Sequence, residues 1–223
     1  MGMFSRKDMV RLFGPLLVEQ LLAVLVGMAD VVMVAAVGET AVSGVALVDS
    51  ISVLVIQVLS AMATGGAVVC AQYIGKKRQD QACRAAGQLV LITAVLSLLI
   101  ASTAFIGNRH LLRLIFGSVE TEVMDNAATY FWFTAMSYPF LALYNSGAAL
   151  FRSMGNSKVS MKVSLAMNVI NVAGNALCVF GLRMGVEGVA IPTLLSRMFA
   201  AVVMVLLVRS PKNSIRVNRL SQL

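Results

Sequence analysis

Six long apolar stretches take up most of this 223-residue chain, and short basic segments separate them. A helix needs roughly 20 apolar residues to cross the hydrocarbon core of a bilayer. Windows of this length predict spans at residues 12–37, 41–73, 85–106, 128–150, 159–180 and 186–208. Because bilayers cannot satisfy loose backbone groups and the stretches lack the alternation of barrel strands, all six should be helices. The sequence predicts an all-α membrane protein, with one six-helix lobe in residues 1–208 and a basic, poorly ordered cytoplasmic tail in residues 209–223.

Composition and charge agree with this prediction. Hydrophobic residues make up 59% of the chain and charged residues only 13%, whereas soluble domains are nearer half apolar and a quarter charged. The net charge of +8 comes from basic residues concentrated at the N-terminus, in the second and fourth loops and in the tail. This bias predicts that both termini lie in the cytoplasm, and we expect the protein to be integral to the plasma membrane. It does not indicate a nucleic-acid partner.

Several classes of chemistry have no signature in the sequence. There is no phosphate loop of the GxxxxGK type, and His110 is the single histidine, in a predicted outer loop. The three cysteines form no CxxC pair. We therefore predict no enzyme activity, no cofactor, no zinc site and no ATP-driven pump. Any energy source would be an ion gradient, and the metal prediction is limited to Na⁺ at Asp30.

The first span carries an aspartate, Asp30, deep inside it, where a carboxylate is costly and usually functional. Glu19, Ala23, Gly27 and Asp30 fall on one helical face, since eleven residues make almost three turns. This face should look into the bundle or a watery cavity, where Asp30 can take up a proton or a cation. Glu19 is open to two interpretations: it lines the same path, or it lies near enough to the cytoplasmic end to meet water.

The fifth span repeats the pattern with amides and a hydroxyl. Ser164, Asn168, Asn171 and Asn175 are spaced by four, three and four residues, so they share one face. They can complete a hydrogen-bond shell around Asp30 or line a substrate path. The alternative is that the amides hold transmembrane helices together.

Other spans contain isolated polar residues. Asn145 shares a face with Tyr138 in the fourth span, and Thr193 shares one with Arg197 in the sixth. Arg197 needs either a partner or a route by which it snorkels toward the cytoplasmic side, and we favour snorkelling. Asp49, in the second span, is a second-rank candidate that could be interfacial. Between the third and fourth spans, the long connection 107–126 contains five apolar residues that predict a short helix at the outer interface: Leu111, Leu112, Leu114, Ile115 and Phe116.

Four features of the sequence resemble the multidrug and toxic compound extrusion (MATE) family. Their order and spacing together carry the resemblance, which covers essentially the whole chain. They are Asp30 in the first span, AQYIGKKR at residues 71–78, FRSMGNSK at residues 151–158, and Asn171 to Asn175 before Gly181.

The resemblance implies a fold and an activity. Members of that family carry twelve helices as two six-helix lobes, and this chain matches the amino-terminal lobe. It implies an H⁺- or Na⁺-coupled antiporter, or the N-terminal lobe of one, that exports small lipophilic, often cationic compounds. The implied ion-coupling residues are Asp30, Asn145, Asn171, Asn175 and Thr193, with Glu19, Asn168 and Tyr138 as weaker substrate-cavity residues. Some relatives have aspartate at the position of Asn175; the amide here cannot titrate, which leaves proton exchange to Asp30.

The absence of a second lobe from this sequence leaves a rival hypothesis open. Transport by rocking of two bundles needs a partner, which could be a second six-helix half or a second copy of the chain. The alternative is a truncated, non-transporting membrane protein or scaffold that needs partner helices to bury its polar faces.

Overall fold

A computed structural model describes residues 6–210 together with residues 213 and 215. This part of the chain is helical and contains no strand, which confirms the predicted all-α fold. The helices are α1 (Arg6–Val37), α2 (Glu39–Gly75), α3 (Gln79–Phe116), α4 (Thr121–Ser153), α5 (Ser157–Ala176) and α6 (Glu187–Val208), with a π-helical turn at Leu177–Gly181 after α5. Most of the predicted tail lies outside the described residues. Of its described residues, Ile215 is fully buried.

Helices α1 to α4 are longer than the predicted spans, because apolar windows mark only the part of a helix that lies in hydrocarbon. The clearest case is α3, whose 38 residues give a length of roughly 57 Å at 1.5 Å per residue. The predicted connection 107–126 is therefore wrong. Its first ten residues continue α3, and only residues 117–120 connect α3 to α4. A salt bridge of 2.6 Å between Arg109 and Asp125 joins these two helices near the connection.

The central helix of the bundle is α4, which packs against α2, α3, α5 and α6. Five of the described helical segments are long and apolar enough to span a membrane, and α4 is not among them. It is buried along most of its length and carries Glu122, Asp125 and Asn126 in its first turns. A helix surrounded by protein needs less apolar surface than one facing lipid, so α4 can be less apolar than the other five helices.

Two glycines allow close helix contacts that shape the bundle. A Cβ atom at Gly44 of α2 would lie 2.8 Å from the backbone nitrogen of Ala127 in α4. A Cβ atom at Gly174 of α5 would lie 2.7 Å from the Cβ atom of Pro192 in α6. Small residues of this kind let membrane helices approach closely. The second contact brings the polar faces of α5 and α6 together.

At the edge of the bundle, α1 packs mainly against α5 and has smaller contacts with α2 and α6. Large apolar side chains cover its outer surface and are exposed, among them Leu17, Leu21, Leu25, Met28 and Val32. Such a surface is the one expected to contact lipid. The acidic side of α1 consequently turns toward the other helices.

Candidate functional site

A cavity of about 390 Å³ opens between α1, α2, α4, α5 and α6. Its apolar wall is made largely of valines, including Val26, Val34 and Val45. Eight polar side chains also line it, contributed by five helices: Asp30, Asp49, Tyr130, Asn168, Asn171, Thr193, Ser196 and Arg197. A mostly apolar cavity with a few convergent polar groups is the usual form of a ligand site.

One end of this cavity holds a chain of hydrogen bonds that starts at Asp30. Asn175 Nδ2 donates to Asp30 Oδ1 at 2.7 Å and lies 3.4 Å from Asn171 Oδ1. Asn171 Nδ2 donates to Thr193 Oγ1 at 3.0 Å. The Thr193 hydroxyl in turn donates to the carbonyl of Val189 at 2.9 Å. Three helices, α1, α5 and α6, thus share a continuous polar network.

The local sequence explains why these groups meet. Asn171 and Asn175 are four residues apart in α5, so both face the same way. The tight contact between Gly174 and Pro192 then places that face beside Thr193 on α6. The π-helical turn Leu177–Gly181 begins two residues after Asn175.

The network contains one buried acceptor without a partner. Asn175 is completely buried, and its Oδ1 atom has no hydrogen-bond partner among the described residues. An unpaired buried polar atom is costly. Oxygen atoms of carboxylate, amide and hydroxyl groups are the ligands that hard cations prefer. The site therefore has the chemistry to receive a small cation or a proton, with Asp30 supplying its charge.

The second region of the cavity contains Asp49, Tyr130 and Arg197. The Tyr130 hydroxyl donates to Asp49 Oδ1 at a long distance of 3.4 Å. Arg197 Nη1 donates to the Ser137 hydroxyl at 2.6 Å, and the Arg197 side chain lines the cavity. The snorkelling interpretation of Arg197 is therefore wrong, because the guanidinium finds a partner on α4 inside the bundle. Asp49 lines the cavity.

The structure brings together some of the predicted site residues and not others. Asn168 lines the cavity with the ion-coupling candidates Asp30, Asn171 and Thr193, and Asn175 joins them through its hydrogen bond to Asp30. Asn145 and Tyr138 do not line this cavity.

The remaining candidates have separate surroundings. Asn145 Nδ2 is buried without a partner among the described residues, and Tyr138 shares a hydrogen bond of 3.0 Å with Ser52. Glu19 also lies outside the lining. It accepts hydrogen bonds from Tyr144 at 2.9 Å and from Ser160 at 3.4 Å.

Sequence reasoning missed Tyr130 and Ser196 as cavity residues. Tyr130 precedes Tyr138 by eight residues, or about two turns of α4, so this spacing was an available signal. Ser196 adjoins Arg197, but its hydroxyl donates to the Thr193 carbonyl at 2.9 Å. Helical serines commonly make such a bond to a carbonyl of their own helix, so the sequence does not distinguish Ser196 from them.

Comparison with known proteins gives matches along most of the chain. The family model described as MatE matches residues 15–177. The uncharacterized transporter YisQ of Bacillus subtilis is 28% identical over 198 residues, which is 87% of this chain and 43% of that protein. The probable multidrug resistance protein NorM of Thermotoga maritima is 28% identical over 203 residues, which is 88% of this chain and 43% of that protein. The chain therefore spans less than half the length of these relatives.

Solved structures share the fold. A MOP superfamily transporter from Pyrococcus furiosus superimposes with a TM-score of 0.88 at 20% identity, over 95% of this chain and 47% of that chain. A MATE structure in complex with MaD3S gives a TM-score of 0.89 at 20% identity, over 95% of this chain and 48% of that chain. At this identity the similarity establishes the arrangement of helices. The lobe described above thus corresponds to about half of each solved transporter.

Proposed function

Because the chain belongs to the MatE family, we propose that it acts as one six-helix half of an ion-coupled antiporter that exports small lipophilic, often cationic compounds. The observation that carries the proposal is the hydrogen bond of 2.7 Å between Asn175 and Asp30, in a polar network beside the cavity. The name of the Thermotoga maritima relative, a probable multidrug resistance protein, supports the substrate class.

The proposed coupling step uses Asp30 as the group that changes charge. A bound H⁺ or Na⁺ neutralises its carboxylate, and release of the ion restores a negative charge beside the cavity. Asn171, Asn175 and Thr193 hold the carboxylate through a network that cannot itself titrate. For Na⁺, the unpaired Asn175 Oδ1 is the additional oxygen within this network. Asn145 is not included in this step, because its buried Nδ2 has no hydrogen-bond partner among the described residues and does not join the network around Asp30.

The apolar wall and the cationic substrate class fit each other. A lipophilic cation buries its apolar body against the valines and is attracted by the carboxylates. Since ion and substrate are both positive, loading of one disfavours the other, which is the energetic basis of exchange. Because the chain spans 43% of the length of its relatives, we infer that transport requires a partner, either a second six-helix half or a second copy of this chain. We expect both termini in the cytoplasm, as the basic loops predict.

The test is reconstitution into liposomes with tetraphenylphosphonium, a lipophilic cation, as the transported probe. The chain is reconstituted alone and together with a carboxyl-terminal half from the Thermotoga maritima relative, under an imposed Na⁺ gradient or, separately, a proton gradient. Gradient-driven movement of the probe in either preparation, lost on Asp30→Asn, supports the proposal and identifies the ion. Native mass measurement establishes the oligomeric state of each preparation. The non-transporting scaffold is favoured instead if the chain is a strict monomer and shows no flux, both alone and with the added half.

A further inference from the structure

Two carboxylates and one guanidinium line the same cavity, but no ion pair joins them. Asp30 comes from α1, Asp49 from α2 and Arg197 from α6. Tyr130 is the titratable side chain that α4 adds to the lining, and α5 adds only amides among its polar groups. Across the described residues, salt-bridge distances are met only between Arg109 and Asp125, neither of which lines the cavity. The three charges thus face a shared space without neutralising one another directly.

The two carboxylates differ in how firmly they are held. Asp30 is partly buried and accepts the short bond from Asn175. Asp49 is exposed to the cavity, and its one hydrogen bond, from Tyr130, is 3.4 Å long, at the limit of useful geometry. Asp49 is therefore the carboxylate more available to a group that enters the cavity.

Arg197 is fixed in place by contacts with α4. Its Nη1 atom donates to Ser137, which is fully buried and itself donates to the Thr134 carbonyl at 2.6 Å. A guanidinium has five N–H donors, and this bond to Ser137 is the one that it makes within the described residues. A strong bond to a rigid partner keeps the positive charge beside the cavity.

These positions give the cavity a defined charge. With both aspartates ionised, the two negative charges exceed the single positive charge of Arg197 by one. In a low-dielectric surrounding an uncompensated charge is costly, so the cavity favours the uptake of one positive charge.

We propose that Asp49 receives the cationic group of a transported compound, while Arg197 is a fixed counter-charge that leaves the cavity one negative charge to be neutralised. The inference rests on the proposed function, because it assigns the substrate-binding group of the same cavity. It separates the roles of the two acids: Asp30 holds the coupling ion, and Asp49 holds the substrate. Arg197 then sets how strongly a cation binds and limits the cavity to one added charge.

The experiment measures equilibrium binding of tetraphenylphosphonium to the 223-residue chain in lipid nanodiscs, which needs no transport. Triphenylphosphine oxide, a neutral analogue, reports apolar contact alone. The variants are Asp49→Asn, Arg197→Gln and Arg197→Lys, the last retaining the charge. Asp80→Asn, which removes an exposed carboxylate at the start of α3, is the matched control. Size-exclusion profiles verify that each variant is folded.

Asp49→Asn should weaken binding of the cation about tenfold, and Arg197→Gln should tighten it about tenfold, because each changes the cavity charge by one unit. Arg197→Lys, Asp80→Asn and all affinities for the neutral probe should stay within twofold. The inference is overturned if Asp49→Asn binds the cation as wild type does, or if Arg197→Gln matches Arg197→Lys. Should Arg197→Gln not fold, the Asp49→Asn result and the preference of wild type for charged over neutral probe decide alone.

The two proposals can fail separately. Binding that depends on Asp49 without any gradient-driven flux would contradict the antiporter and leave the assignment of Asp49 intact. Flux that is lost on Asp30→Asn but unchanged by Asp49→Asn would support the antiporter and contradict the assignment of Asp49.

Discussion

The amide nitrogen of Asn175 lies 2.7 Å from a carboxylate oxygen of Asp30, although 145 residues separate the two positions in the chain. This bond joins α5 to α1, which is the most peripheral helix of the bundle. It uses a donor that cannot titrate, so any change of charge at the pair belongs to Asp30. Asn175 therefore orients the carboxylate without competing for its ion.

Replacing Asp30 by Asn should reduce ion-driven flux at least tenfold, since an amide cannot bind a proton or neutralise a cation. Initial rates of tetraphenylphosphonium movement into liposomes, under the gradient that drives wild type, give the measurement. Asp80→Asn serves as control because it removes a carboxylate outside the cavity. Unaltered flux in the Asp30 variant would contradict its coupling role.

Replacing Asn175 by Asp should add one proton or one Na⁺ to the occupied site. The new carboxylate would face Asp30 at the distance now spanned by a hydrogen bond, and two like charges at that separation need a cation between them. Proton uptake and ²²Na⁺ binding at equilibrium measure the added ion, with Asn168→Asp, on the same face of α5 and in the cavity lining, as a matched change. Equal ion stoichiometry in wild type and Asn175→Asp would show that the pair is not formed.

Thr193→Val should destabilise the protein by about 1–3 kcal/mol, because it leaves the buried Nδ2 of Asn171 without its acceptor. Thermal unfolding in detergent measures the change. Thr103→Val is the matched control: its hydroxyl is exposed and bonds only to the carbonyl of Leu99. If both substitutions lower the midpoint equally, the network has no special contribution.

Gly174→Ala should also destabilise the protein, by about 1–3 kcal/mol, because the added methyl group would lie 2.7 Å from the Cβ atom of Pro192 and push α5 from α6. The control is Gly65→Ala, where the added atom meets nothing within 4 Å. That control should be neutral or slightly stabilising, since alanine favours helix more than glycine does. Thermal midpoints that do not separate the two variants would refute the close contact.

Glu19→Gln should leave the affinity for tetraphenylphosphonium within twofold of wild type, because Glu19 lies outside the cavity lining and contacts Tyr144 and Ser160. Glu19→Leu should instead lower the thermal midpoint, since it leaves the buried Tyr144 hydroxyl without this acceptor. Binding assays and thermal scans on the same preparations distinguish the two effects. A tenfold loss of affinity in Glu19→Gln would return Glu19 to the substrate path.

The sequence alone determined the number and type of the elements and the residues most worth following. Backbone groups in lipid must be paired within the chain, so the apolar stretches are expected to be helices, although only five of the six described helices are apolar enough by themselves to span a membrane. The cost of burying a carboxylate made Asp30 a candidate, and the four-residue spacing put Asn171 and Asn175 on one face. These inferences depend on local composition and helical period, which a chain displays without being folded.

Only the tertiary structure decided which polar residues share a space. Tyr130, Asp49 and Arg197 lie on three different helices, and Asn145 has a favourable sequence position but lies outside the cavity lining. Hydropathy shows where along a membrane-spanning helix a residue lies, but it does not show how each helix is rotated about its axis. Rotation depends on contacts such as that between Gly174 and Pro192, made by residues distant in the chain. For the same reason, the sequence did not show that Arg197 has a partner on α4. Helix packing places Ser137 within hydrogen-bond distance of its guanidinium.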